Sequence, residues 1–237
     1  MKLLRFFRRQ KPFEREAGEL YRQKLGTLRV EHGEGFDLVR FDGDYETYKT
    51  VQTIANKAKI DWRSVAPENI AYLCDRLSAA GVTLRRVLCH GTRNAAEQTY
   101  FRARLPNAEI IGTEISDTAA QFPMTIQWDF HEVKPEWRGA FDLVFSNSWD
   151  HTYDPHRLFP AWLSCVAPNG ALALEWSSIH GETHVDAVDP FRASLDGLTG
   201  LLSEHSKGLD FVAPEIWREP PKNERGKCFV IVRRVGV

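Results

Sequence analysis

Residues 86–114 read RVLCHGTRNAAEQTYFRARLPNAEIIGTE, and this stretch decides the fold class. RVLCH is a short β-rich run ending on a glycine-bearing turn, a helical pattern follows near 94–104, and EIIGTE is a second β-rich run that stops on an acid. The alternation continues through TIQWD (125–129), AFDLVFSN (140–147), a helix near 156–167 and ALALEW (171–176). A helix near 190–205, LDFVAPEIW (209–217) and KCFVIVRRV (227–235) complete it. Such alternation predicts an α/β layer fold with a largely parallel sheet. Pro220, Pro221, Asn223 and Gly226 between the last two runs read as a tight return, so the final pair is expected to be antiparallel.

Upstream, Tyr45, Tyr48, Val51, Ile54, Ala55 and Ala58 follow the three-four spacing of an amphipathic helix over 44–60. Pro67 and Glu68 open a second helix, with Ile70, Leu73, Cys74 and Leu77 on one face and Gly81 as its stop. The expected division is an N-terminal arm and helical cap over 1–84 and a main domain over 85–237. The arm begins MKLLRFFRRQK, five basic residues among large apolar ones. Its apolar run is too short for an export leader, and no stretch approaches the roughly 18 apolar residues of a membrane span. Arg5, Arg8 and Arg9 beside Leu3, Leu4, Phe6 and Phe7 suit either a frayed tail or a peripheral contact with an anionic membrane.

With 237 residues, 43 % of them hydrophobic, the chain has ample material for a core, which excludes intrinsic disorder. The 31 Lys and Arg balance 32 Asp and Glu, so no global field draws the protein to nucleic acid, which is not an expected partner. Cys74, Cys89, Cys165 and Cys228 lack zinc or disulfide-framework spacing, and a reducing cytoplasm is the expected home.

In an open parallel sheet the ligand lies beyond the carboxyl ends of the strands. The residues there are Cys89 to Ala95 after the first run, Glu114 after the second, Asp129 and Phe130 after the third, and Ser146 to His151 after the fourth. A lone acid 23 residues past the glycine turn suits ribose, because one carboxylate accepts hydrogen bonds from both vicinal hydroxyls.

In their order, these segments resemble the motifs of the class I S-adenosylmethionine-dependent methyltransferases, over about 150 residues. VLCHGTRNA stands where that family has its glycine-rich motif, IIGTEIS where it has the strand with a terminal acid, and IQWDFHEV where an Asp and its neighbour flank the adenine. FDLVFSNSWDH and LFPAWLSCVAPNGALALEW resemble the fourth motif and the helix, Pro-x-Gly turn and strand that follow. The glycine motif is atypical: Cys89 replaces the usual acid, and Arg93 and Ala95 replace glycines. The resemblance implies a Rossmann-like seven-stranded sheet of order 3-2-1-4-5-7-6, its last strand antiparallel, with an N-terminal helical extension. It implies S-adenosylmethionine as cofactor, bound by His90, Gly91, Thr92, Arg93, Glu114, Ile115, Asp129, Phe130 and Asn147. Only 14 residues separate Glu114 from Asp129, Pro123 among them, so the helix between those strands is expected to be short or missing.

Methyl transfer to an alcohol needs alignment and a base. His151 is the candidate base, Asp150 or Asp154 its orienter, and His180 a second catalytic candidate, with Glu175 and His184 on the acceptor side. A divalent metal on Asp150, His151 and Asp154 is an open alternative that no spacing demands. Tyr45, Tyr48, Gln52, Asn56, Lys57, Lys59 and Trp62 suit a cover for the cofactor and a sugar-like acceptor. Methylation of a sugar or glycan hydroxyl leads; another small-molecule acceptor, or a non-catalytic cofactor-binding scaffold, are the alternatives.

Overall fold

The computed structural model describes residues 10–178 and 184–236. The basic arm over residues 1–9 and His180 lie outside that range. In chain order the elements are α1 (Pro12–Leu25), β1 (Val30–Gly33), β2 (Phe36–Val39), α2 (Tyr45–Ala58), α3 (Pro67–Ala79), β3 (Arg86–His90), α4 (Ala96–Arg104) and β4 (Glu109–Glu114). They continue with β5 (Thr125–Gln127), β6 (Phe141–Ser146), α5 (Pro155–Cys165), β7 (Val166–Trp176), β8 (Phe191–Ala193), α6 (Leu195–Ser206), β9 (Glu215–Arg218) and β10 (Cys228–Arg233).

The seven-stranded sheet has the order β5-β4-β3-β6-β7-β10-β9. Strands β5 to β7 run parallel, and β10 is antiparallel to both β7 and β9. Numbered along the sheet's own chain order this is 3-2-1-4-5-7-6, as expected. Successive side chains on a strand point to opposite faces. Val87 and Cys89 of β3 therefore enter the cluster formed with Ile70, Leu73 and Leu77 of α3 and Phe101 of α4. Leu88 enters the opposite cluster with Leu158, Phe159 and Trp162 of α5 and Leu198 of α6. Both faces of the sheet are thus covered, which is why its strands read as nearly continuous apolar runs.

Between β4 and β5 the chain makes only a short 3-10 turn over Asp117–Gln121, the reduced connection that Pro123 and the spacing predict. Three local expectations are corrected. The helix expected from residue 190 begins at Leu195, because residues 191–193 pair with β2 first. The strand expected over 209–217 is regular only at Glu215–Arg218, with Phe211 bridging Arg234 alone. The return over 219–227 is not tight; it holds a 3-10 turn at Glu224–Gly226.

Two N-terminal features had no counterpart in the sequence reading. Helix α1 starts at Pro12, where the Glu14 carboxylate accepts from the Lys11 backbone N–H at 2.7 Å, and it buries Ala17 and Tyr21. The hairpin β1–β2 pairs with β8 in a three-stranded sheet. Together with α2 they form a third cluster, in which Val39, Tyr48 and Val51 pack on Ala187 and Val188.

Candidate functional site

The carboxyl edge of the parallel strands is roofed by α2, and a cavity of about 380 Å³ lies between them. Gly91, Glu114, Ile115 and Phe130 line it from the sheet, Tyr48, Gln52 and Asn56 from the helix. Its shape starts with the turn after β3. Gly91, Arg93 and Ala95 all have positive φ, at 72°, 40° and 58°. That is the left-handed region, which costs an L residue about 1 kcal/mol and a glycine little. Arg93 and Ala95 thus keep the backbone course of a glycine turn while adding side chains. Gly91 has no such latitude: a Cβ there would sit 2.8 Å from Ser148 Cβ.

Glu114 is 2 % exposed at the end of β4, inside the cavity wall. Its oxygens accept from Asn56 Nδ2 at 2.5 Å and from the backbone N–H groups of Ser116 at 2.8 Å and Arg93 at 3.1 Å. Burial raises its pKa, and those hydrogen bonds oppose the rise. Trp128 and Phe130 supply aromatic wall beyond it; Trp128 was not singled out from sequence, although its place at the end of the third strand made it legible.

Other predicted residues lie elsewhere. Asp129 does not line the cavity: its Oδ1 accepts from the His131 backbone N–H at 2.9 Å and pairs with His131 Nδ1 at 2.7 Å. Burial works against its charge, but these bonds hold its pKa below the usual value. His90 is behind the wall, its ring stacked 4.9 Å from Trp162 and its Nδ1 2.9 Å from Thr113 Oγ1, and burial pushes its pKa down to about 3. Thr92 and Asn147 line a side chamber rather than the main cavity.

His151 stands at the end of the cavity and also lines an open basin of about 1620 Å³. Its Nδ1 lies 3.0 Å from the Val188 carbonyl. A carbonyl only accepts, so in the neutral ring Nδ1 carries the proton and Nε2 keeps its lone pair. Gln52 Nε2 donates to the same carbonyl at 2.9 Å, which braces the segment that orients the histidine. Of the two expected orienters, Asp154 is engaged elsewhere. Asp154 caps α5, its Oδ1 accepting from the Arg157 N–H at 3.1 Å. Asp150 stands with His151 and Asp189, their donor atoms all within 4.8 Å of one another, and burial pushes its pKa up to about 6. Glu175 borders the basin from the end of β7, buried and paired with Lys227 Nζ at 3.2 Å, while His184 is exposed.

No protein-family profile and no curated protein sequence matches the chain. Solved structures do. A Burkholderia thailandensis 1,6-didemethyltoxoflavin-N1-methyltransferase with bound S-adenosylhomocysteine superposes with a TM-score of 0.58 at 13 % identity, over 87 % of this chain and 99 % of that one. The S-adenosylmethionine-bound amino pentose methyltransferase CalS10 of Micromonospora echinaspora gives 0.55 at 14 % identity over 76 % and 97 %. The [4+2]-cyclase SpnF gives 0.52 at 13 % over 70 % and 81 %. The chain has the class I methyltransferase fold. In this methyltransferase fold the cavity occupies the switch-point edge, beyond the carboxyl ends of β3, β4 and β6, where open α/β sheets bind ligands. The cyclase among the neighbours shows that the fold by itself does not fix the reaction. Among the described residues no helix is long and apolar enough to cross a membrane.

Proposed function

We propose that the protein is an S-adenosylmethionine-dependent O-methyltransferase acting on a hydroxyl of a sugar or glycan, with an N-terminal arm and helical cap over residues 1–84 and the cofactor-binding domain over 85–237. The observation that carries this reading is His151, whose Nδ1 is held on the Val188 carbonyl and whose ring lines both the main cavity and the wider basin. The cavity's residues fit the cofactor. Glu114 offers a buried carboxylate for ribose hydroxyls, Trp128 and Phe130 offer apolar faces for the adenine, and Gly91 lets the backbone come close. Bound there, S-adenosylmethionine would supply an electrophilic methyl group on a sulfonium.

The remaining work falls to this chain's own residues. Tyr48 donates to the His151 backbone carbonyl at 3.0 Å and Val188 fixes the ring, so the base is placed before the acceptor arrives. An alcohol proton is not acidic at neutral pH, and Nε2 takes it as the carbon–oxygen bond forms. Aromatic and polar groups of the basin, Trp62 and Lys59 among them, suit the faces and hydroxyls of a sugar.

The test is turnover of S-adenosylmethionine to S-adenosylhomocysteine across a panel of glycans, hydroxylated metabolites and amines. Activity confined to amines would overturn the oxygen acceptor, and binding without turnover on any acceptor would leave a cofactor-binding scaffold. For the cofactor itself, calorimetry is expected to show Glu114→Ala binding S-adenosylmethionine about ten-fold more weakly than wild type, since one charge-assisted hydrogen bond contributes about 1.5–3 kcal/mol. Equal affinities would remove Glu114 from the ribose site.

A further inference from the structure

Beside the main cavity is a small side chamber that shares Gly91, Arg93 and Ser148 with it. Two charged side chains of opposite sign meet there without satisfying each other. Glu97, on the first turn of α4, is 6 % exposed; the Asn147 amide hydrogen-bonds its carboxyl, but its Oε2 is buried with no partner. Arg93 has its Nε buried without a partner, and its Nη1 reaches only the Trp62 carbonyl, at 3.4 Å. Buried donors and acceptors in folded proteins are nearly always paired, and an orphaned charged group costs more than a neutral one. A carboxyl with one unpartnered oxygen and a guanidinium with an unpartnered Nε on one small chamber are complementary to a ligand that carries both charges close together.

We propose that Glu97 and Arg93 form a clamp for the zwitterionic amino-acid end of the cofactor, Glu97 Oε2 accepting from its ammonium and Arg93 donating to its carboxylate. The inference rests on the cofactor reading above and assigns to Glu97 a role that the motif comparison did not supply. It also accounts for an arginine in the strained turn, where φ is 40°. A residue that pays backbone strain next to a ligand site is expected to return it in binding.

The chamber's charge balance gives the clamp a pH signature. Burial pushes Glu97 up to about 7. Arg93 in the turn and Asn147 at the end of β6 favour its charged form, Glu175 at the end of β7 opposes it, and Cys89 on β3 is an uncharged thiol. Glu175 is itself paired with Lys227. The empty protein therefore holds Glu97 largely protonated below neutral pH, and ammonium binding must expel that proton.

Calorimetry with S-adenosylhomocysteine and with methylthioadenosine, which lacks the amino-acid group, tests the clamp. Wild type is expected to bind S-adenosylhomocysteine about ten-fold more tightly at pH 8 than at pH 6. Glu97→Gln is expected to lose about ten-fold in that affinity at pH 8 and most of its pH dependence, with methylthioadenosine affinity within about two-fold of wild type. Arg93→Met, at a partly exposed position, is expected to show the same selective loss and keeps the test open if Glu97→Gln does not fold. Undiminished S-adenosylhomocysteine affinity in a folded variant, or equal losses for both ligands, would overturn the clamp. Wild type binding neither ligand would instead overturn the cofactor reading on which the clamp rests.

Discussion

His151→Ala is expected to lower turnover by about 10²–10⁴ while leaving S-adenosylmethionine affinity unchanged. The separation follows from the geometry. Only the side chain of His151 offers a base, whereas its backbone carbonyl is held by Tyr48 and remains in the variant. The cavity wall from Gly91 to Phe130 is untouched. Rate under saturating cofactor, measured beside the dissociation constant, checks both halves. The same assay with a chelator separates two roles for the cluster of Asp150, His151 and Asp189. If wild type turns over equally well without divalent ions, the histidine acts as a base. Chelator-sensitive activity would assign it instead to an ion shared with the two aspartates. Turnover undiminished in His151→Ala would remove it from the mechanism altogether.

The largest effect on stability is expected from Trp162→Ala, at about 3–5 kcal/mol. Trp162 is fully buried on α5, its Nε1 donates to the Phe130 carbonyl at 2.8 Å, and its ring stacks on His90. Truncation opens a void under the cavity floor and orphans that carbonyl. Thermal unfolding should fall on the order of 10 °C. A pH series adds a second readout. Because burial pushes His90 down to about 3 from 6.5, the unfolded chain takes up a proton that the folded chain refuses. Stability from this group is complete above pH 6.5 and is lost as pH falls toward 3. With the indole gone and water beside the imidazole, the variant is expected to lose less stability on acidification than wild type does. A shift of under about 1 kcal/mol would show that α5 collapses onto the gap.

The α/β class, the sheet order and the short connection before Pro123 were legible because each depends on local pattern. Apolar runs of strand length alternate with helical spacing, and acids stand at strand ends. Helix α1 was legible in principle, since Pro12, Glu14 and the Ala17 and Tyr21 face are ordinary start and core signals. The hairpin and β8 were harder: a strand of three residues gains its identity from the partner it meets, here β2 across more than 150 residues of chain.

By itself the sequence determined the seven strands of the main sheet, that the polar residues gather at one edge of it, and that Gly91, Glu114, Phe130 and His151 stand on that edge. Motif order and periodicity carry that much because they reflect the backbone. Only the tertiary structure decided which of those side chains face the cavity. His90 and Asp129 occupy motif positions yet point to partners of their own, Trp162 and His131, because a buried polar group turns toward whatever can satisfy it. The Val188 carbonyl that orients His151 and the Asp189 that stands beside it come from a segment nearly 40 residues away. Such contacts follow from packing between distant elements, which no local spacing encodes.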